Sequence, residues 1–440
     1  MGLKKALKLI EAQRESITSY KKIVENQEKI INTQNEIIKK LEKEIEEIKK
    51  VIKEKSKPAF VKEDIKEEPK ISGQKEGHVG YSRHVPERID YVKEHNPDKC
   101  PNCNRDLSGI QEIRERVITD MEVKIVNIKH IIYRKYCSHC GKIVEEPINE
   151  ALPNARFSLK LMLLIMFMKL GIRIPSNKII EFLGILGLEI SDGEIYNILT
   201  RLKDAFGDYY ETLVKKIQEA STKHIDETGW RINGKNNWLW IFINKEVALY
   251  VVEKQRSSDV PKKVLGNQEG KFITTDRLSA YNVLVEDTGC LQQVCWTHLL
   301  RNSKDLAKHY PEARYIHKRM KFIFKKAKEG KTSKEKLLDW IDLIAERRYH
   351  GTEVPKFIKS ICRNHREDLF RFVDNPEINP SNNLAEQGLR PAVVIRKVSG
   401  GSRSKNGAET TAKLLSVIQT IKMQEGNIID NMTNLLQNPK

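Results

Sequence analysis

The sequence lacks any long hydrophobic run and any secretory signal. Its most apolar stretch, LMLLIMFM between Lys160 and Lys169, is too short to span a bilayer and predicts a buried helix. The opening MGLKKALKLIEAQRE turns polar too soon for a signal core. We therefore expect a soluble, cytoplasmic protein with no membrane partner.

Acidic residues are in short supply relative to basic ones. The chain has 78 Lys and Arg against 60 Asp and Glu, which gives a formal net charge of +18. Such a balance favours a polyanionic partner, since contacts to phosphates release counterions, although solubility alone also explains a basic surface. With 440 residues, 39% of them hydrophobic, the chain exceeds one ordinary domain. We expect two to four domains and a nucleic acid partner.

Residues 1–55 carry a heptad pattern that predicts a coiled coil and, through it, a homodimer or higher oligomer. A second seam contains Leu41 and Ile48, together with polar residues that restrict the register. A solvated single helix folded back on the protein is the alternative. Residues 56–90 follow as a flexible basic linker with too few apolar residues to pack. The first seam consists of Ile10, Ile17, Val24, Ile31, Ile38, Ile45 and Ile52.

Only seven cysteines are present, and four of them form two Cys-x-x-Cys pairs, Cys100 with Cys103 and Cys137 with Cys140. Two such turns facing each other close a tetrahedral Zn²⁺ site, and four thiolates leave no open position, so the zinc would be structural. The intervening residues 112–136 alternate in Val and Ile and predict strands, so that residues 91–150 resemble a zinc ribbon. A redox-active pair is the weaker alternative, because no βαβ pattern surrounds it.

Residues 151–219 change to helical periodicity, and Ser191 or Asp192 is the expected N-cap of the last long helix. A helix-turn-helix-like DNA-binding unit and a plain helical packing module fit this pattern about equally. The last helix offers only a few side chains as readers of DNA, namely Asn197, Thr200 and Arg201.

Residues 220–298 predict the first part of an RNase H-like α/β core. Three consecutive antiparallel strands are followed by a helix, a strand, a helix and a strand. In that fold the first and fourth strands are neighbours, which would bring Asp226 and Asp276 within reach of shared metal ions. Carboxylates suit hard ions, so Mg²⁺ or Mn²⁺ is implied. Considered alone, either acid would be interpreted as an ordinary surface residue at the end of a strand.

Residues 299–378 are helical and basic and predict an insertion that grips DNA or covers the active site, with a solvated basic face as the alternative. Residues 379–440 form the C-terminal helical part of the core, where Glu386 lies on a helix beginning after Pro380. The segment SGGSRSKNG after Lys397 is expected to be flexible and to clamp a phosphate backbone. Candidate DNA contacts here are Arg390, Arg396 and Arg403.

The strand LQQVCWTH supplies Cys295 and His298 with two residues between them. A zinc site is disfavoured here, because two more ligands are not evident nearby. His298 and Arg301 are instead candidates to bind scissile or flanking phosphate, with a packed strand end and a surface arginine as the equal alternative.

This succession of motifs resembles the insertion-sequence-66 family of transposases, a branch of the DDE enzymes, over nearly the whole chain. The matching motifs are DET at Asp226, TTDRLSAY at Asp276 and NNLAEQGLRP at Glu386. Spacing alone does not select the third acid; the resemblance selects Glu386 over Glu409 or Asp305. Cys295 and His298 are similar to a Cys-x-x-His pair found in several DDE groups. The overall expectation is a multidomain α+β protein.

The resemblance implies a transposase that binds double-stranded DNA, both transposon ends and target, in association with the nucleoid. In such enzymes a water and then a 3′-hydroxyl attack phosphodiesters, with Asp226, Asp276 and Glu386 holding Mg²⁺ or Mn²⁺. Accessory proteins accompany some relatives. Two other functions stay open at this point: a non-catalytic DNA-binding regulator derived from a transposase, and an RNase H-like nuclease.

Overall fold

The computed structural model describes residues 2–55, 86–107, 109–110 and 112–437. Most of the predicted linker therefore lies outside the described residues. The chain divides into two compact units, Met1–Thr119 and Asp120–Lys440. Helices and a mixed sheet together make the α+β class that the sequence predicts. None of the described helices is long and apolar enough to cross a membrane.

The first unit contains one long helix, α1 (Gly2–Lys55). The seam side chains that the structure describes, including Ile17, Ile31 and Ile45, are each about half exposed. The helix itself is confirmed, whereas its pairing in a coiled coil stays a prediction.

The strands predicted between the two cysteine pairs are mostly wrong. Residues 112–134 form no regular strand, and only β1 (Lys135–Cys137) and β2 (Lys142–Val144) pair, as a short antiparallel hairpin. Apolar side chains in the irregular stretch, such as Ile118 and Met121, are exposed. Alternating Val and Ile favour a strand only where a neighbouring strand accepts and donates the backbone hydrogen bonds.

A helical layer opens the second unit's core. Ser191 caps α4 through a capping box with Glu194, which confirms one of the two expected N-caps. The helices are α2 (Leu159–Met166), which continues into a π-helical turn at Phe167–Gly171, α3 (Ser176–Ile185), α4 (Asp192–Ala205) and α5 (Gly207–Glu219).

A five-stranded sheet forms the centre of the second unit, in the order β5-β4-β3-β6-β7. The pairs β3–β4 and β4–β5 are antiparallel, whereas β3–β6 and β6–β7 are parallel. The predicted strand series and the pairing of its first and fourth members are thus confirmed. Its elements are β3 (Thr222–Ile232), β4 (Lys235–Ile243), β5 (Ala248–Glu253), α6 (Asp259–Leu265), β6 (Phe272–Thr275), α7 (Ser279–Thr288) and β7 (Leu291–Val294).

Both faces of this sheet are buried, as strand β4 illustrates. Leu239 and Ile241 join one hydrophobic cluster with helices α2, α3 and α4, while Trp240 and Phe242 join another with α5, α6 and α7. Because side chains alternate across a strand, a strand buried on both faces is apolar throughout.

Helices dominate the described residues after β7. Residues from Val294 to Phe370 form a hydrophobic cluster of their own, so the predicted insertion has a separate core. These helices are α8 (Trp296–His309), α9 (Ala313–Lys328), α10 (Lys334–Ala345), α11 (Glu353–Lys359) and α12 (Arg371–Asp374), followed by α13 (Asn383–Ser399), α14 (Lys405–Ile421) and α15 (Ile428–Gln437).

Helix α14 covers the edge strand β5. The backbone N–H of Tyr250 donates to Ser416 Oγ at 2.8 Å, and that of Ala248 donates to Thr420 Oγ1 at 3.1 Å. These hydroxyls therefore satisfy donors that an uncovered edge would offer to another strand.

The expectation of a flexible segment after Lys397 is wrong. Ser402 N donates to Arg231 O at 2.8 Å, and Asn233 N donates to Ser402 O at 2.9 Å, so the segment is paired to the end of β3. Gly401 has a φ of 113°, and a Cβ there would collide with the Arg231 carbonyl. Only glycine permits this close approach of two backbones.

Candidate active site

Two of the predicted acids lie on neighbouring strands, Asp226 within β3 and Asp276 directly after β6. In the parallel β3–β6 pair His224 is opposite Thr274, so the same register carries Asp226 level with Asp276, which directly follows β6. Asp226 Oδ1 accepts a hydrogen bond from Glu227 N, and Asp276 Oδ1 accepts one from Leu278 N, both at 2.9 Å.

The pKa of Asp226 is raised to about 7, first by burial and then by the neighbouring carboxylates of Glu227 and Asp276. Among the described residues, neither Asp226 nor Asp276 forms an ion pair within 4.0 Å. Two neighbouring carboxylates without a paired cation are a donor set that fits a hard divalent ion.

The third acid, Glu386, lies in the first turn of α13. Its Oε1 is 3.6 Å from His298 Nδ1, and its Oε2 is 4.0 Å from Arg301 Nη2. His298 also acts electrostatically on Asp226, lowering the pKa of that carboxyl. The imidazole therefore lies beside the third acid and acts on the first only electrostatically.

Helix α13 reaches this position through a close contact with the sheet. A Cβ at Gly388 would overlap Ile241 Cδ1 and would lie 3.0 Å from Ile243 Cδ1. Glycine lets the helix lie against β4, two residues after the acid.

Asn382 links the three elements that carry the site, and the residue-level predictions did not include it. Its Nδ2 donates to Ile225 O at 2.8 Å, its Oδ1 is 3.1 Å from His224 Nδ1, and its backbone N donates to Cys295 Sγ at 3.1 Å. Its carbonyl accepts the helical hydrogen bond of Glu386 N at 3.0 Å. The only sequence signal was an Asn ahead of an expected helix start.

A second network, buried at Glu227 and Tyr281, starts at the residue after Asp226 and was also missed. Glu227 Oε1 accepts from Arg256 Nε at 2.7 Å and pairs with Nη2 at 2.6 Å, while Oε2 accepts from Tyr281 OH at 2.7 Å. Tyr281 belongs to α7, the helix that follows Asp276. The network therefore connects the strand of the first acid with the helix after the second.

The predicted DNA-contacting arginines occupy different environments. Arg396 is partly buried and donates from Nη1 to Thr228 Oγ1 at 3.1 Å and to the Gly229 carbonyl, so it is bound to β3. Arg301, Arg390 and Arg403 are exposed. In helix α4, Arg201 donates to the carbonyls of Pro153 and Asn154.

Each cysteine pair is described within its own unit. Backbone N–H groups lower the pKa of one thiol in each pair: Asn102 is the largest cause for Cys100, and Cys140 for Cys137. Thiols that deprotonate readily suit a zinc site, which binds thiolates. The four-cysteine site and the zinc ribbon stay predictions.

Sequence comparison gives one family. Residues 154–410, more than half of the chain, match the family model described as "Transposase IS66 family". The match covers the sheet, all three acids and the helical insertion. No curated protein matches the chain significantly.

Proposed function

Because the chain belongs to the IS66 family of transposases, we propose that it cuts and joins DNA at the ends of an insertion sequence, with Asp226, Asp276 and Glu386 as its catalytic acids. The observation that supports this proposal best is the placement of the first two acids level with each other, Asp226 within β3 and Asp276 directly after the adjacent parallel strand β6, with Glu386 Oε1 3.6 Å from His298 Nδ1. The strand order and directions also support an RNase H-like core.

In this proposal Asp226, Asp276 and Glu386 would hold Mg²⁺ or Mn²⁺. Ions bound there would supply an activated oxygen nucleophile and a stabilised leaving oxygen. The chain itself orients these ligands through Asn382 and through the Glu227 network. His298 and Arg301 stand beside Glu386, where they bind the scissile or flanking phosphate.

The other parts of the chain serve DNA recognition in this proposal. Helix α9 carries seven Lys and Arg residues and no acid, which supports contact of the insertion with double-stranded DNA. Residues 1–55 join copies of the chain through a coiled coil, residues 91–150 bind structural Zn²⁺, and the helices before the sheet act as a helix-turn-helix-like unit. Accessory proteins belong to the same hypothesis.

The proposal is tested with DNA from both sides of the gene, where terminal inverted repeats would supply the substrate. Duplexes carrying these ends are incubated with the full chain and Mg²⁺. Asp226→Asn, Asp276→Asn and Glu386→Gln should each lower cleavage by about a thousandfold or more, because several kcal/mol of transition-state stabilisation are lost. DNA binding, measured by mobility shift, should stay within about threefold of wild type, a negligible change in binding free energy.

Asp305→Asn is the matched control, since Asp305 is an exposed acid paired with Lys308 on α8. It should cleave like wild type. Retained cleavage by Asp226→Asn would overturn the catalytic assignment. Cleavage without joined products would favour a nuclease, and binding without cleavage by the wild-type chain would favour a regulator.

A further inference from the structure

Cys295, His298 and Glu386 meet at the junction of two helices. Each offers a potential ligand atom, and these atoms all lie within 4.8 Å of one another. Cys295 immediately precedes α8, and His298 follows one helical turn later. Glu386 comes from α13, ninety-one positions after Cys295, so no local sequence pattern joins the three.

Two of these side chains have polar atoms that are buried yet unsatisfied. Within the described part of the chain, His298 Nδ1 and Glu386 Oε1 have no hydrogen-bond partner. They face each other at 3.6 Å, which is longer than a hydrogen bond. Buried polar atoms are usually satisfied, and a cation bound between these two side chains would satisfy both.

The third member is already oriented. Cys295 is fully buried, and its Sγ accepts a hydrogen bond from Asn382 N at 3.1 Å. A backbone N–H directed at sulfur stabilises a thiolate, which is the form that binds metals. The same Asn382 carbonyl accepts the hydrogen bond of Glu386 N, so one residue positions both ligands.

A sulfur, a nitrogen and an oxygen ligand do not suit Mg²⁺, which prefers oxygen alone. They suit Zn²⁺, which binds Cys, His and carboxylate side chains in tetrahedral sites. Three protein ligands leave a fourth position for water or for an anion.

We propose that Cys295, His298 and Glu386 form a Zn²⁺ site that competes with the catalytic ions for Glu386. Zinc bound there withdraws the third acid from catalysis and inhibits the enzyme. The binding part is independent of the proposed function, whereas the inhibition part rests on it.

Binding is tested by the number of zinc ions that each full chain retains after gel filtration. The four cysteines of the predicted ribbon also bind zinc, so the comparison is between variants. Cys295→Ser and His298→Ala should each retain one zinc per chain fewer than wild type. Cys290→Ser, which removes another buried cysteine of the same unit, should retain the wild-type number.

Cobalt provides a second readout that does not depend on activity. Co²⁺ bound to the site should show a sulfur-to-metal charge-transfer band that is weaker in Cys295→Ser than in Cys290→Ser. His298 is a quarter exposed, so His298→Ala tests the site even if the buried Cys295→Ser protein fails to fold. Equal zinc retention and equal cobalt spectra in wild type and His298→Ala would overturn the site, leaving a simple imidazole–carboxylate pair.

Inhibition is tested by cleavage in Mg²⁺ with increasing Zn²⁺. Wild type and Cys290→Ser should lose cleavage, whereas the residual cleavage of Cys295→Ser should keep its zinc-free rate. Variant-dependent zinc binding without any DNA cleavage would support the site and contradict the transposase function. Mg²⁺-dependent cleavage, with the same zinc retention in all variants, would support the transposase function and contradict the zinc site. Equal inhibition of all variants by zinc would contradict the proposed competition for Glu386.

Discussion

Asp226 stands out among the acids because the pKa of its carboxyl is raised from 3.8 to about 7. Between these values the folded chain holds a proton that the unfolded chain has lost. The free energy of unfolding therefore falls as pH rises through this window and levels off above about pH 7. The cost arises from burial and from neighbouring carboxylates, and a divalent ion at the site would offset it.

We expect Asp226→Asn to remove this pH dependence in the metal-free protein. From about pH 4 to pH 8, the difference in free energy of unfolding between variant and wild type should grow by about 2 kcal/mol in favour of the variant. This value is smaller than the full pKa shift implies, because the side chain is only partly buried. The measurement is urea unfolding in the presence of a chelator. Asp305→Asn should show no such trend, and a variant curve parallel to that of wild type would contradict the raised pKa.

Substitution of Asn382 should disturb the site most without removing one of the proposed metal ligands. Asn382→Ala leaves the Ile225 carbonyl and the buried His224 ring without their partner. We expect the free energy of unfolding to fall by about 1–3 kcal/mol, the cost of unsatisfied buried polar groups. Chemical denaturation measures this, with the exposed neighbour Asn383→Ala as control. Equal stability of the two variants would show that Asn382 has no such role.

Local sequence patterns predicted the strand positions of Asp226 and Asp276, the family resemblance selected Glu386, and neither indicated Asn382. Asp226 and Asp276 could be located because each interrupts or ends an apolar strand. Asn382 meets its partner Ile225 across 157 residues. A contact of that separation depends on the completed fold, and no short-range periodicity records it.

At the scale of elements, helix α13 and strand β4 depend on the missing side chain at Gly388. Gly388→Ala would overlap Ile241 Cδ1 in a buried contact. We expect this variant to lose about 1–3 kcal/mol of stability through overpacking, and to cleave more slowly because Glu386 moves with its helix.

Ile241→Val deletes the atom that collides and tests this explanation directly. Alone it should cost about 1 kcal/mol, as such truncations usually do. Combined with Gly388→Ala it should recover part of the lost stability, so that the double variant loses less stability than the two single variants lose in total. Thermal denaturation of the four proteins measures this coupling, and strict additivity would exclude the contact as the cause.

Elements buried on both faces were predicted well, and those lacking a packed neighbour were not. Strands β4 and β5 contain continuous apolar runs, WLWIFI and ALYVV, bounded by turns, so few other structures fit them. Residues 112–134 alternate in the same way yet form no strand, because alternation does not supply a partner. The glycine-rich segment at Gly401 suggested flexibility, whereas its glycines serve a close backbone contact.

At the scale of the whole molecule, the half-exposed seam of α1 is the clearest surface for self-association. We expect the full chain to sediment as a dimer or larger oligomer, and Ile31→Lys to shift it towards monomer, because a charge on the seam must be desolvated on pairing. Glu36→Lys, on the opposite side of the helix, is the control. Identical sedimentation of the two variants would contradict the coiled coil.

The contact between α14 and the edge of the sheet also has a consequence for synthesis. The hydrogen bond from Tyr250 N in β5 cannot form until its acceptor Ser416, which is 166 residues later in the chain, has been synthesised. At ribosomal speed this separation corresponds to roughly 10 to 30 s. During that interval the newly made sheet exposes an uncovered edge, and for most of it Glu386 has not yet been synthesised. The nascent chain is therefore most open to pairing with other strands, and most in need of chaperones, before α14 has been made.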